Sequence, residues 1–192
     1  MTRLATGELH SPSYSPEGFA HFCIGGWLAK KDDGRWLSDD DFRMVLIRSG
    51  DTLRTHALWQ VGQFKEIDEK LAFLRGVWPL QLSARTPAVV SRLIYIVFED
   101  EAHFPAMAEA VRPLLARTDA RTTHLSLLGD KNERIIAAHP EIVLDLLSDI
   151  LSDDAANWPY GIANLLERIS EARAELSDDP RFRRLRELWE KR

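Results

Sequence analysis

Cysteine is nearly missing from this sequence: Cys23 is the only one in 192 residues. A lone thiol has no partner for an intramolecular disulfide and rules out a cysteine-based zinc site within the chain. It suits a reducing compartment, and the protein is expected to be cytoplasmic. Also lacking is any run approaching the roughly 20 apolar residues that cross a bilayer. Residues Met1 to Ser15 hold no apolar stretch of signal-peptide length, so an unprocessed chain away from membranes is expected. Positive charge is not in excess, with 25 Lys and Arg against 30 Asp and Glu, a formal net charge of -5 and a pI near 5.7. Phosphate binding needs clustered cations that displace counterions, so this balance argues against nucleic acid as a partner. No G-x-S-x-G elbow, P-loop, G-x-G-x-x-G or H-E-x-x-H occurs, which removes the usual local signatures of hydrolases, nucleotide folds and zinc proteases.

What is present is an ordinary globular balance, 45% hydrophobic and 29% charged. A chain of this length buries about 70% of the surface its unfolded form exposes. An N-terminal arm over 1–15 followed by one helical domain over 16–192 is expected. Ser15-Pro16 opens a first helix carrying Phe19, Phe22, Cys23, Trp27 and Leu28, in which Gly25-Gly26 weakens the helix or admits another backbone. After a turn at Asp32-Asp33-Gly34, Ser38 is the N-cap of a second helix with Asp39, Asp40 and Asp41 at its positive end and Phe42, Val45 and Leu46 inside. Gly50 is its expected stop. A third helix from Asp51 to Gln63 buries Leu58 and Val61 with Trp59 beside them. A fourth places Ile67, Leu71, Leu74 and Trp78 on one face before Pro79.

Residues 86–115 can be laid over 139–169. Thr86-Pro87 and His139-Pro140 open strongly apolar helices, with Val90, Leu93 and Val97 matching Val143, Leu146 and Ile150. Acidic linkers follow, Glu99-Asp100-Glu101 and Asp153-Asp154. Phe104-Pro105 and Trp158-Pro159 then open second helices leading to Val111, Leu114 and Leu115 and to Leu165, Leu166 and Ile169. Pro87 and Pro140 lie 53 residues apart, Pro105 and Pro159 54 apart. Two copies of one helical hairpin cannot each bury an apolar face alone, so they stack, and the expected class is all-α with stacked hairpins in the manner of an α-solenoid or HEAT array. The spacing exceeds the roughly 40–47 residues of a HEAT unit because of residues 116–138, where Thr122 to Leu128 form an extended crossing or short strand before a short helix over 132–138. A last helix from Asp179-Pro180 uses Phe182, Leu185, Leu188 and Trp189 and caps the stack.

Chemistry has few candidates. His10, His21, His56, His103, His124 and His139 are dispersed, and Cys23 sits among Phe22, Ile24 and Trp27 on what reads as an apolar helix face. The acidic clusters at Ser38 to Asp41, Ser152 to Asp154 and Ser177 to Asp179 resemble cation ligands in composition, but each lies where a helix needs capping. The C-terminal run Arg181, Arg183, Arg184, Arg186, Lys191 and Arg192 reads as a contact for an acidic partner or as the solvated face of an amphipathic helix. Of six tryptophans, Trp36 lies in a turn-rich segment and is a candidate exposed interface anchor.

Val77-Trp78-Pro79, Phe104-Pro105, His139-Pro140-Glu141 and Trp158-Pro159-Tyr160-Gly161-Ile162 resemble positions of a helical domain of unknown function at the C-terminal end of large bacterial proteins. Some of those proteins carry a sirtuin-like domain in front and are implicated in defence. The resemblance implies a sensing, scaffolding or assembly role and transfers no NAD-binding or catalytic residue. The expectation is a non-catalytic protein-interaction or scaffolding module whose partner is another protein or a second copy. No catalytic, cofactor-binding or metal-binding residue is assigned, and no cofactor is expected. The alternative is a hydrolase or nuclease whose acidic and histidine residues meet only in the fold. A third reading has the C-terminal basic helix bind nucleic acid.

Overall fold

Proline placement and capping decide where the helices begin. In a computed structural model, which describes residues 15–31, 34–80, 86–115 and 132–192, four α-helices carry proline in their first turn, at Pro16, Pro87, Pro105 and Pro180, and a fifth opens at Pro140. A proline there loses no helical hydrogen bond. The described residues form an all-α fold, and the chain divides into two units, residues 1–83 and 84–192. The expected turn at Asp32-Asp33 and the expected crossing over 122–128 lie outside the described residues.

The first unit contains α1 (Pro16–Leu28), a two-residue antiparallel pairing of β1 (Lys30–Lys31) with β2 (Gly34–Arg35), α2 (Asp39–Arg48), α3 (Asp51–Gly62) and α4 (Ile67–Ala72). α1 packs most extensively on α3. α1 runs through Gly25-Gly26 without a break. The amide of Leu37 donates to the carbonyl of Gly26 at 3.0 Å, and a Cβ on Gly26 would stand 3.1 Å from Cε3 of Trp36. Gly26 thus admits a returning backbone and an indole ring at the C-terminal end of the helix.

α2 starts where expected, with the Ser38 hydroxyl accepting from the Asp41 amide at 3.1 Å and donating to the Asp41 carboxylate at 2.7 Å. Phe42, Val45 and Leu46 are buried. Gly50 does not stop α2. The helix ends at Arg48 with Ser49 as its C-cap, and Gly50, extended at φ -79°, is the N-cap of α3, so the chain turns with no left-handed residue. Trp59 departs from the buried stripe of α3, which consists of Leu53, Ala57, Leu58 and Val61.

The largest departure is in the fourth helix. After Ala72 the chain switches to a π-turn over Phe73–Val77, closed by the Trp78 amide donating to the Phe73 carbonyl at 2.9 Å. The extra residue rotates the last turn of the helix, so the buried face is Lys70, Phe73, Leu74, Val77 and Trp78, while Ile67 and Leu71 stay half-exposed. Phe73 sits in an aromatic cluster, 5.7 Å edge-on to Trp27, 5.6 Å from Phe42 and 6.2 Å from Trp78 between centroids. Such tilted and edge-on contacts suit the ring quadrupoles. Gly76 leaves room for Asp39, whose carboxylate would lie 3.3 Å from a Cβ there and accepts from the Trp27 indole at 2.7 Å.

The second unit contains α5 (Pro87–Phe98), α6 (Phe104–Val111), α7 (Glu133–Ala138), α8 (Pro140–Ile150), α9 (Ile162–Ala172) and α10 (Pro180–Glu190). α5 packs on α6 and α8 on α9, as two hairpins require, and α6 meets α8. Val90, Leu93, Val97, Val143, Leu146, Ile150, Leu165, Leu166 and Ile169 are all buried.

The repeat extends to detail. Asp100 and Asp154 each cap a 3-10 turn, and each turn is followed by a buried aromatic, Phe104 or Trp158. The copies differ in what the aromatic-proline pair does. Phe104-Pro105 lies inside α6, whereas Trp158-Pro159 precedes α9, which begins only at Ile162. Trp158 is held outside the helix by its indole N–H donating to the Ser152 carbonyl at 3.0 Å. In α10 Phe182 and Leu185 are buried, while Leu188 and Trp189 are half-buried.

Candidate functional site

Two surface features stand out, one in each unit. In the first, Phe22 on α1 and Trp36 after β2 lie on the surface with ring centroids 5.8 Å apart, Trp36 being 52% exposed. Trp36 is positioned by its amide donating to the Ala29 carbonyl at 3.3 Å and by the bare Gly26 beneath its ring. Met44, Trp59 and Leu80 are also exposed in this unit. Scattered exposed apolar residues are normal, but a tryptophan beside a phenylalanine is the composition of an interface anchor.

In the second unit the surface is organised by charge. α8 presents Glu141, Asp145 and Asp149, four residues apart and therefore along one face. Arg112, in the 3-10 turn after α6, donates Nη1 to Asp145 at 2.6 Å and Nε to Asp149 at 2.9 Å. Arg181 on α10 donates to the other oxygen of Asp145 and to Asp179, and Arg173 pairs with Glu141 at 2.9 Å. Asp145 therefore joins the end of the first hairpin to the C-terminal helix. Arg184 adds a contact to Asp153 at 2.5 Å and approaches the hydroxyl and carbonyl of Ser148. Hydrogen bonds from the Arg181 side chain hold the Asp179 carboxyl down to about 2, and the carboxylates of Asp179, Asp145 and Glu141 raise Arg181. Beside this network an open groove of about 670 Å³ runs between α6 and α8, lined by Glu109, Arg112, Leu115, Ile142, Asp145 and Asp149 among others.

The C-terminal basic run thus divides: Arg181 and Arg184 reach α8 and the loop after it, while Arg183, Arg186 and Lys191 lie on the exposed face expected of an amphipathic helix. Arg183 pairs with Asp178, Arg186 with Glu190 and Lys191 with Glu187, and the Arg192 guanidinium lies over the Trp189 and Tyr160 rings. No family model, curated protein or solved structure matches this chain.

The other candidates remain apart. His21 lies 3.4 Å from Gln60, His56 pairs with Glu17, His103 with Asp100, and His139 stacks on Phe104 at 5.6 Å. His10 and His124 lie outside the described residues. Among the described residues, no group of three His, Cys, Asp or Glu side chains is placed to hold a metal ion. Cys23 is buried, which pushes its thiol up to about 11 and keeps it protonated at neutral pH.

The acidic clusters cap and pair. Ser38 and Asp41 cap the start of α2, Asp40 pairs with Arg43, Asp154 receives the Ala156 amide and Asp179 the Arg181 amide. In the sequence the carboxylate face of α8 is masked by the hydrophobic residues around it, and the spacing of 141, 145 and 149 is its signal. Among the described residues, no helix is long and apolar enough to cross a membrane.

Proposed function

We propose that this chain is a non-catalytic protein-interaction or scaffolding module, with the Phe22–Trp36 pair of the first unit as its contact anchor. The observation that carries this reading is the pair itself: two large aromatic side chains on the surface, one of them seated on a glycine that fixes its place. Aromatic anchors of this kind supply much of the binding energy of an interface at small entropic cost. In the second unit the charged side chains satisfy one another, which favours a structural role for the carboxylates and guanidiniums there. The resemblance of the aromatic-proline positions to the C-terminal helical domain of large bacterial proteins supports a sensing or assembly part in such a system, built on HEAT-like stacking.

Affinity capture of the tagged chain from its host, run beside the Trp36→Ala and Phe22→Ala variants, tests the proposal. A near-stoichiometric protein partner, or a self-associated species in sedimentation, is expected with the native chain and lost in both variants while circular dichroism is unchanged. Clean recovery of the native chain with a bound metal or nucleotide would overturn it in favour of the hydrolase or nuclease reading.

A further inference from the structure

We propose that α10 is a salt-releasable latch: the C-terminal helix is held on α8 chiefly by the Asp145-centred guanidinium network and opens as a separate segment when that network is screened. The inference is independent of the interaction reading. α8 and α10 are both eleven residues long, yet α8 buries six side chains and α10 only Phe182 and Leu185. A helix with so small an apolar footprint belongs to the low-stability end of a fold, where segments open locally.

Its polar attachments are concentrated at its start. Asp179 caps it and holds Arg181, Arg181 reaches Asp145 and stands 4.0 Å from Glu141, and Arg184 reaches Asp153 and Ser148. Beyond Leu185 the ion pairs are local, Arg186 with Glu190 and Lys191 with Glu187, while the Arg192 guanidinium reaches out of the helix to the Tyr160 ring. Both guanidiniums that cross to α8 and its following loop are about one-third exposed, so mobile ions reach them. Opening would uncover the parts of α8 and α9 on which α10 lies.

Hydrogen exchange with mass spectrometry on the full chain decides the matter, comparing about 0.01 M with about 1 M NaCl, where the screening length falls from roughly 30 to roughly 3 Å. Amides of residues 183–190 are expected to exchange about tenfold faster at the higher salt while those of α8 do not change. Asp145→Asn is expected to raise the low-salt rate of α10 by a similar factor and to remove most of the salt dependence. Should that variant fail to fold through loss of the Arg112 contact, Arg184→Gln, which leaves Asp145 intact, is expected to act in the same direction with a smaller factor. Exchange of α10 together with α8 as one unit at both salt concentrations would overturn the proposal. So would separate opening that ignores both salt and substitution.

Discussion

The two units solve the same problem, holding short helices together, with different chemistry. The first unit centres on rings: Trp27, Phe42, Phe73 and Trp78 meet in one buried cluster. Its Asp40–Arg43 and Asp51–Arg54 pairs lie within single helices, and Glu17 of α1 reaches His56 of α3. The second unit has an aliphatic core from α5, α8 and α9, and ion pairs that cross between elements at Arg112, Arg168, Arg173, Arg181 and Arg184. The consequence is visible outside. Phe22, Trp36, Met44, Trp59 and Leu80 are exposed in the first unit, against Tyr160 among the large apolar side chains described in the second. Where rings hold the helices together, some remain outside.

The comparison breaks most directly at Phe73. Phe73→Ala removes the ring that touches three others and is expected to cost about 3–5 kcal/mol. Hydrogen exchange should then show loss of protection across α1 to α4 with α5 to α10 retained, and equal loss in both units would mean that the two regions unfold as one.

A smaller effect sharpens the electrostatic side. Asp179→Asn keeps the cap but removes the charge that holds Arg181, for an expected loss of about 1–2 kcal/mol at neutral pH. The folded carboxyl lies below its ordinary value of 3.8 at about 2, so its contribution is whole above the ordinary value and fades as the pH falls from there towards about 2. An acid titration followed by circular dichroism should therefore show a shallower decline for the variant over that window. Smallest is Ser38→Ala, which removes the hydroxyl cap of α2. It should lower stability by about 1 kcal/mol, measured by urea unfolding.

Much of the fold was legible along the chain because the signals are local. Ser15-Pro16, Ser38 and Asp179-Pro180 combine a capping side chain with the residue after it, and all three open helices where expected. The hairpin repeat was legible because prolines and apolar residues recur at matching offsets. The buried face of the fourth helix was legible only at Leu74 and Trp78, since a regular 3.6-residue period assumes no inserted residue, and the π-turn at Phe73–Val77 inserts one. Gly50 misled because glycine serves equally as the end of one helix and the cap of the next. The ion-pair hub was hidden because Arg112, Asp145 and Arg181 are more than thirty residues apart in turn, and pairing at that distance depends on how helices cross.

The sequence by itself determined an all-α chain, most of its helix starts and the duplication in its second half, because capping, proline chemistry and apolar periodicity act over a few residues. Only the tertiary structure decided which cations are neutralised, which aromatic rings are buried and which remain outside. Those outcomes depend on the angle and register at which separate helices meet, and a single extra residue in a π-turn is enough to change them.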